Sequence, residues 1–340
     1  MNGRDIQLVF HSYPVLDASS QRSACVAATQ DDHAFAVVGT AYFQTGAACV
    51  TAEYHTPLIT SDGPEAPVFQ QSAPYLYSID QSSDRLLDNL IEWANQRGLL
   101  AGRKIGLYYA NDPDTEALIA RTVKMSLGHF GYSVAAEATT GDTNGGPEDA
   151  LAVQRFQQAG VNLAFLFVSK TGFLQAAQAV AYRPQFLESD YLYGTADVTT
   201  STYPPSEFDG TLGITDESEG LKPAGIPASP GMQACEDNYS RYSGQNMSDP
   251  TTAAYGYVLI ECDEGTALLD GLRAAGRSLT TTSFVEALGG LGSFPLVRYL
   301  GSGGFTTARH DAAEAYRVMV WKATCKCWMA DGPVQPLPIQ

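Results

Sequence analysis

Short, almost continuous apolar runs that close on small polar residues constrain this chain most. "AFAVVGT" ends at Gly39 and Thr40, and "PLIT" runs into Thr60, Ser61 and Gly63. "GLYYAND" and "NLAFLFVS" follow the same pattern further on. Runs of this kind are strands buried on both faces, which in water means parallel sheets covered by helices. The segments between them carry a different period: Leu86, Leu87, Leu90, Ile91 and Trp93 fall on one stripe of a helix.

Extending this alternation gives strands at "DIQLVFHSY", "AFAVVGT", "PLIT", "RKIGLYYAND", "SVAAEAT" and "VNLAFLFVS". Helices are expected at "SSQRSACVAATQDD", "QTGAACVTAEYH", "PDTEALIARTVKMSLGHFGY", "ALAVQRFQQAG" and "GFLQAAQAVAYR". The stretch from Thr199 to Pro230 is rich in Pro, Gly, Ser and Thr and reads as a connection between domains. Two long helices follow, then a short one, then a tail ending in the strand "YRVMVWKA". The class is α/β with parallel sheets in two Rossmann-like lobes.

With 340 residues there is enough chain for two cores. The formal charge is −17 and Lys and Arg are nowhere clustered, which argues against nucleic acid and anionic membrane surfaces as partners. No apolar run has the roughly 18–20 residues that span a bilayer. "MNGRDIQLVFHSY" is a strand with a charged lead-in, not a signal peptide. The six cysteines, Cys25, Cys49, Cys235, Cys262, Cys325 and Cys327, are even in number, as in an oxidising compartment. Cys25 and Cys49 flank one strand, and Cys235 and Cys262 lie in successive helical segments. A bridge within "CKC" is geometrically poor if that segment is helical. Free buried thiols are the alternative. No metal site is expected, for there is no C-x-x-C pair with a nearby His.

The order of motifs resembles the type I periplasmic-binding-protein family, and within it the solute-binding proteins of branched-chain amino acid ABC transporters. The resemblance is carried by "NGRDIQLVF", "FAVVGT", "TPLIT", "RKIGLYYANDPD", "FDGTLGI", "TAAYGYVLIECDEGTALLDGLRAAG" and "GGFTTARHD". It implies one lobe over 1–80 and 230–295 and another over 81–229 and 296–340. The lobes would be joined by a multi-strand hinge and close on a small ligand delivered to permease subunits. It further implies no catalysis, no cofactor, action as a monomer and an extracytoplasmic location. In relatives a leader and a strand–helix unit precede "NGRDIQLVF", so the first lobe is expected to lack an interior strand and the chain its leader.

Ligands of open α/β sheets sit beyond the carboxyl ends of the strands, where N–H groups are unsatisfied. The resemblance therefore marks Tyr42, Phe43, Gln44, Thr45, Thr60, Ser61 and Asp62 in the first lobe, with Tyr13 as a possible wall. In the second lobe it marks Asp112, Asp114, Ser169, Lys170 and Asp197. Asp80, where the chain passes between lobes, matches the acidic residue that meets a ligand's ammonium in amino-acid binders. "TAYFQTG" lacks the paired serines common in those binders, so the ligand need not be leucine, isoleucine or valine. Two other functions share the scaffold. One is a sensing module for a receptor. The other is an enzyme, for which His11 is the best acid–base candidate although no G-x-G-x-x-G, P-loop or G-x-S-x-G is present.

Overall fold

The computed structural model describes residues 3–14, 17–39, 43–141, 146–245, 247 and 253–339. Its strands, in chain order, are β1 (Val37–Val38), β2 (Leu58–Thr60), β3 (Leu76–Ser78), β4 (Ile105–Ala110), β5 (Val134–Thr140), β6 (Leu163–Phe167) and β7 (Gln185–Glu188). Then come β8 (Leu212–Thr215), β9 (Gly292–Pro295), β10 (Ser302–Phe305), β11 (Ala315–Lys322), β12 (Cys327–Ala330) and β13 (Gln335–Pro336). The described residues pack as two compact units. Unit 1 takes the chain up to Ser83 and the run from Ser229 to Ala315; unit 2 takes Asp84–Ala228 and the chain from Tyr316 onward.

Unit 1 is built on the parallel sheet β1–β2–β3. Strand alternation sorts its side chains onto two faces. Leu58 and Leu76 join Cys25, Ala47, Cys49 and Val50 on one, while Ile59 and Tyr77 join Ala267, Phe284 and Leu288 on the other. Burying each Val, Leu, Ile or Phe among them contributes roughly 1.5–3 kcal/mol. Cys25 and Cys49 are bridged and tie two helical segments together, and Cys235 and Cys262 bridge the helices Pro230–Ser243 and Ala253–Ala275. An antiparallel hairpin, β9–β10, completes the unit.

The strand expected over 5–13 does not form. That segment has no regular secondary structure, and Leu8 and Phe10 are 66% and 86% exposed. A strand exists only by pairing with a neighbour. Here a groove of about 1290 Å³ is lined by residues 4–11, by β1 and by Leu268 and Leu272, so the segment meets β1 across open space.

Unit 2 carries the larger sheet, ordered β12–β11–β8–β7–β6–β4–β5, with β13 beside β11. Its core strands β4 to β8 are parallel, and β11 runs antiparallel to β8. Leu107, Phe165, Phe167 and Leu187 face the helices Ser83–Gln96 and Pro113–Ile119, whereas Tyr108, Leu166 and Phe186 face Val153, Phe156 and Phe173 on the opposite layer. The stretch from Thr199 to Pro230 is not merely a connection. It holds β8 and the short helix Pro205–Phe208, whose Phe208 is buried against Trp321 and Trp328. "CKC" is not helical either: it forms the turn between β11 and β12. Lys326 has a positive φ of 52° there, and a Cys325–Cys327 disulfide closes the turn.

Candidate functional site

In unit 1 the carboxyl ends of β2 and β3 carry the polar groups. Thr60 is fully buried and its hydroxyl accepts the Asp62 N–H at 3.2 Å, which bends the chain sharply after β2. Gly63 has φ +59°, and a Cβ there would lie 2.6 Å from the Gln81 carbonyl and 3.3 Å from Asp80 Oδ2. Only glycine permits this approach. It brings Asp80 against the Thr60–Gly63 turn, and the Gly63 carbonyl accepts both the Ser83 N–H and hydroxyl. The Asp80 carboxylate takes the Gln81 N–H at 2.6 Å, and Asp311 takes the Ser82 N–H at 2.8 Å. Tyr42 lies outside the described residues; Phe43, Gln44 and Thr45 open the helix Phe43–Ala48.

The helix Ala253–Ala275 adds two buried acids, of which Glu264 lies beside this turn. Asp263 accepts the N–H groups of Val297 at 2.6 Å, Arg298 at 2.8 Å and Tyr299 at 3.3 Å; burial nevertheless pushes it up to about 7. Glu264 is fully buried, with the Ser61 hydroxyl as the polar group that favours its charged form. Burial above all, and then the charges of Glu261 and Asp62, raise it well above the carboxylate range, against a lowering by the Ser61 hydroxyl. Burial thus favours the neutral form of Glu264 beside Ser61 and Asp62 at the end of β2.

In unit 2, β4, β6, β7 and β8 are parallel and so end on one edge. Asp112 caps the helix Pro113–Ile119 through the Thr115 N–H at 2.9 Å, and Asp114 is exposed in its first turn. Burial pushes Asp112 up, but the Thr115 N–H and hydroxyl outweigh it and hold the carboxyl low. Ser169 is half-buried after β6. Lys170 is 2% exposed, with Nζ 3.2 Å from Glu188 Oε2, and burial pushes Glu188 up to about 7 although Lys170 opposes it. A Cβ on Gly194 would lie 3.0 Å from Glu188 Oε2 and 3.1 Å from Lys170 Nζ, so the missing side chain makes room for the pair. Asp197 accepts the Trp328 N–H at 2.7 Å, and burial lifts it to about 6. Lys170 and Asp197 thus have partners within unit 2.

Groups the sequence reading did not mark complete this edge. Asp190 accepts the hydroxyls of Thr195 and Thr215 and the Asp216 N–H, the last two at 2.7 Å and 2.9 Å. Burial, and then the Asp216 charge, raise it well above the carboxylate range. The sequence signal was faint, since "QFLESD" offers only Phe186 and Leu187 as apolar residues before its polar end. Glu264 was legible, for it falls on the stripe of Ile260 and Ala267, where an acid has no ordinary place. His11 Nε2 lies 2.6 Å from Asp32 Oδ2 in a half-exposed pair. All six cysteines are in disulfides, and no cluster of His, Cys, Asp and Glu able to hold a metal occurs among the described residues.

This architecture, polar groups at the ends of parallel strands in each of two α/β units, is that of a two-unit binding protein. Over residues 1–326 the sequence matches the periplasmic binding protein family, and the chain belongs to it. That family is one of non-enzymatic solute-binding proteins. Similar solved structures include an ABC-transporter solute-binding protein from Rhodopseudomonas palustris BisB5 in complex with 3,4-dihydroxybenzoic acid. It is 12% identical with a TM-score of 0.73, over 100% of this chain and 88% of that one. A branched-chain amino acid ABC-transporter protein from Thermus thermophilus with bound valine is 15% identical with a TM-score of 0.73, over 94% and 83%. A leucine-binding protein from Thermotoga maritima MSB8 is 14% identical with a TM-score of 0.71, over 95% and 85%. At these identities the likeness is one of fold. A search of curated proteins found no matching sequence.

Proposed function

We propose that this protein captures a small polar solute, an amino acid or a related amide or carboxylate, and hands it to the permease of an ABC transporter. One observation carries the reading. In each unit the parallel strands end together on glycine, hydroxyl and acidic groups, the edge where open α/β sheets take ligands. On unit 1 the candidates are residues 42–45, Thr60–Asp62 and Asp80. On unit 2 they are Asp112, Asp114 and Ser169, with Lys170 and Asp197 shaping the edge through their partners. Relatives in complex with valine and with 3,4-dihydroxybenzoic acid support a solute of that size. The disulfides favour an extracytoplasmic site of action, and no helix among the described residues is long and apolar enough to cross a membrane. We assign the units to the two lobes of the family and the active form to a monomer.

A thermal-shift panel of amino acids, amides, carboxylates and sugars tests this reading. A solute at about 100 times its Kd adds roughly 2.7 kcal/mol and raises the melting temperature visibly. Stabilisation by one chemical class is the expected result. A shift given only by a nucleotide cofactor would overturn it.

A further inference from the structure

We propose that Arg317 holds an anionic group of the solute, which makes a carboxylate the class of ligand this protein selects. The inference rests on the solute-binding reading and goes beyond it by assigning the recognising residue. Arg317 is the third residue of β11, paired across the sheet with Thr215, the last residue of β8. Because β11 runs antiparallel to β8, it enters the sheet at the edge where β4, β6, β7 and β8 end. Side chains directly opposite in an antiparallel pair share a face. Arg317 therefore stands beside the Thr215 hydroxyl, which donates to Asp190 and accepts the Glu217 N–H.

Arg317 is only 9% exposed, and its Nε and Nη1 are buried with no acceptor among the described residues. A guanidinium cannot discard its charge as a buried lysine can, so burial has to be met by an acceptor. The chain had ample means to provide one, since acids outnumber bases 37 to 20. It does so for other basic residues of this unit: Lys170 pairs with Glu188, Arg121 with Asp84 and Lys124 with Glu137. At Arg317 no carboxylate is supplied among the described residues, and burial alone displaces its titration, downward. A planar fork of donors at a strand-end edge matches a carboxylate brought from outside.

Calorimetric titration of the full chain with L-valine, 4-hydroxybenzoate, the corresponding carboxamides valinamide and 4-hydroxybenzamide, which keep every group but the carboxylate, and glucose tests the assignment. At least one acid is expected to bind ten times or more tightly than its amide. Arg317→Gln should lower that acid's affinity at least tenfold while sparing the amide, and Arg317→Lys should fall between. Amide binding as tight as acid binding in the unaltered chain overturns the assignment, whether or not the variants fold. So does an Arg317→Gln protein of unchanged far-UV spectrum that keeps full affinity for the acid. If a sugar or other neutral solute binds and no acid does, Arg317 loses this role and the solute-binding reading stands. If no acid, amide or sugar binds, both fall.

Discussion

Lys170 and Glu188 form an ion pair almost wholly enclosed by unit 2, with Nζ 3.2 Å from Oε2 and both side chains exposed by less than a twentieth. Removing one partner of such a pair leaves a buried charge and costs about 3–5 kcal/mol, whereas replacing both with apolar groups is often neutral. Glu188→Leu should therefore lower the unfolding free energy in urea by about that amount. Lys170→Met combined with Glu188→Leu should recover most of it. Equal losses in the single and double variants would show that the pair contributes through packing alone.

Stability should fall as pH rises through neutrality. Glu188 and Asp263 titrate at about 7 in the folded chain, and burial pushes Glu264 up as well, all above their ordinary values. Above about pH 4.5 the unfolded chain has released these protons and the folded chain still holds them, so each added pH unit favours unfolding until the folded groups ionise. The urea midpoint is expected to be higher at pH 5.5 than at pH 8, and Glu264→Gln should flatten that slope. Below about pH 4 the sign reverses for Asp112 and Glu137, whose carboxyls are held low and must protonate. A midpoint that climbs from pH 5.5 to 8 would contradict this account.

Gly63→Ala should damage both stability and solute binding. The new methyl would meet the Gln81 carbonyl at 2.6 Å, on a backbone with φ +59° that disfavours any side chain. Relief requires moving the Gln81 backbone and with it the adjoining Asp80, and a loss of about 1–3 kcal/mol is expected. Gly98→Ala is the control: φ is +66° but nothing lies within 4 Å of the added atom, so only the backbone penalty of roughly 1–2 kcal/mol remains. Of the two variants, only Gly63→Ala should weaken whichever solute the panel identifies.

The disulfides should contribute unequally. Cys25–Cys49 and Cys235–Cys262 span 24 and 27 residues, and loops of that size add on the order of 3 kcal/mol each by constraining the unfolded chain. Cys325–Cys327 spans 2 and constrains little. Melting of Cys25→Ala/Cys49→Ala against Cys325→Ser/Cys327→Ser checks the order, with the larger drop expected in the first.

Much of the architecture was legible because buried parallel strands leave a plain trace: "LAFLF" and "IGLYY" can be little else once helical stripes flank them. Residues 5–13 show the limit of that trace. Their pattern is that of a strand, but a strand depends on a neighbour that composition cannot supply, and β1 stands across a groove from them. β7 and β8 were hidden for another reason. Each has four residues, and β8 sits among prolines and glycines that dominate any local reading. The strand-end turn at Thr60–Gly63 was visible as a cluster of small residues, whereas the closeness of Gly63 to Asp80 depends on register between β2 and β3. Arg317 was invisible as a candidate, for nothing in "AYRVMVWK" shows that its Nε and Nη1 are buried with no acceptor among the described residues.

The buried acids also make the folded molecule a store of protons. A formal charge of −17 counts every aspartate and glutamate as ionised, yet burial holds Asp190 and Glu264 well above the carboxylate range. At neutral pH the native charge is thus less negative than that count, with Glu188 and Asp263 near their midpoints. Unfolding exposes these groups to water and releases their protons to the buffer. The heat absorbed at the melting transition should therefore change with the ionisation enthalpy of that buffer, so that melts in phosphate and in Tris differ for one and the same protein.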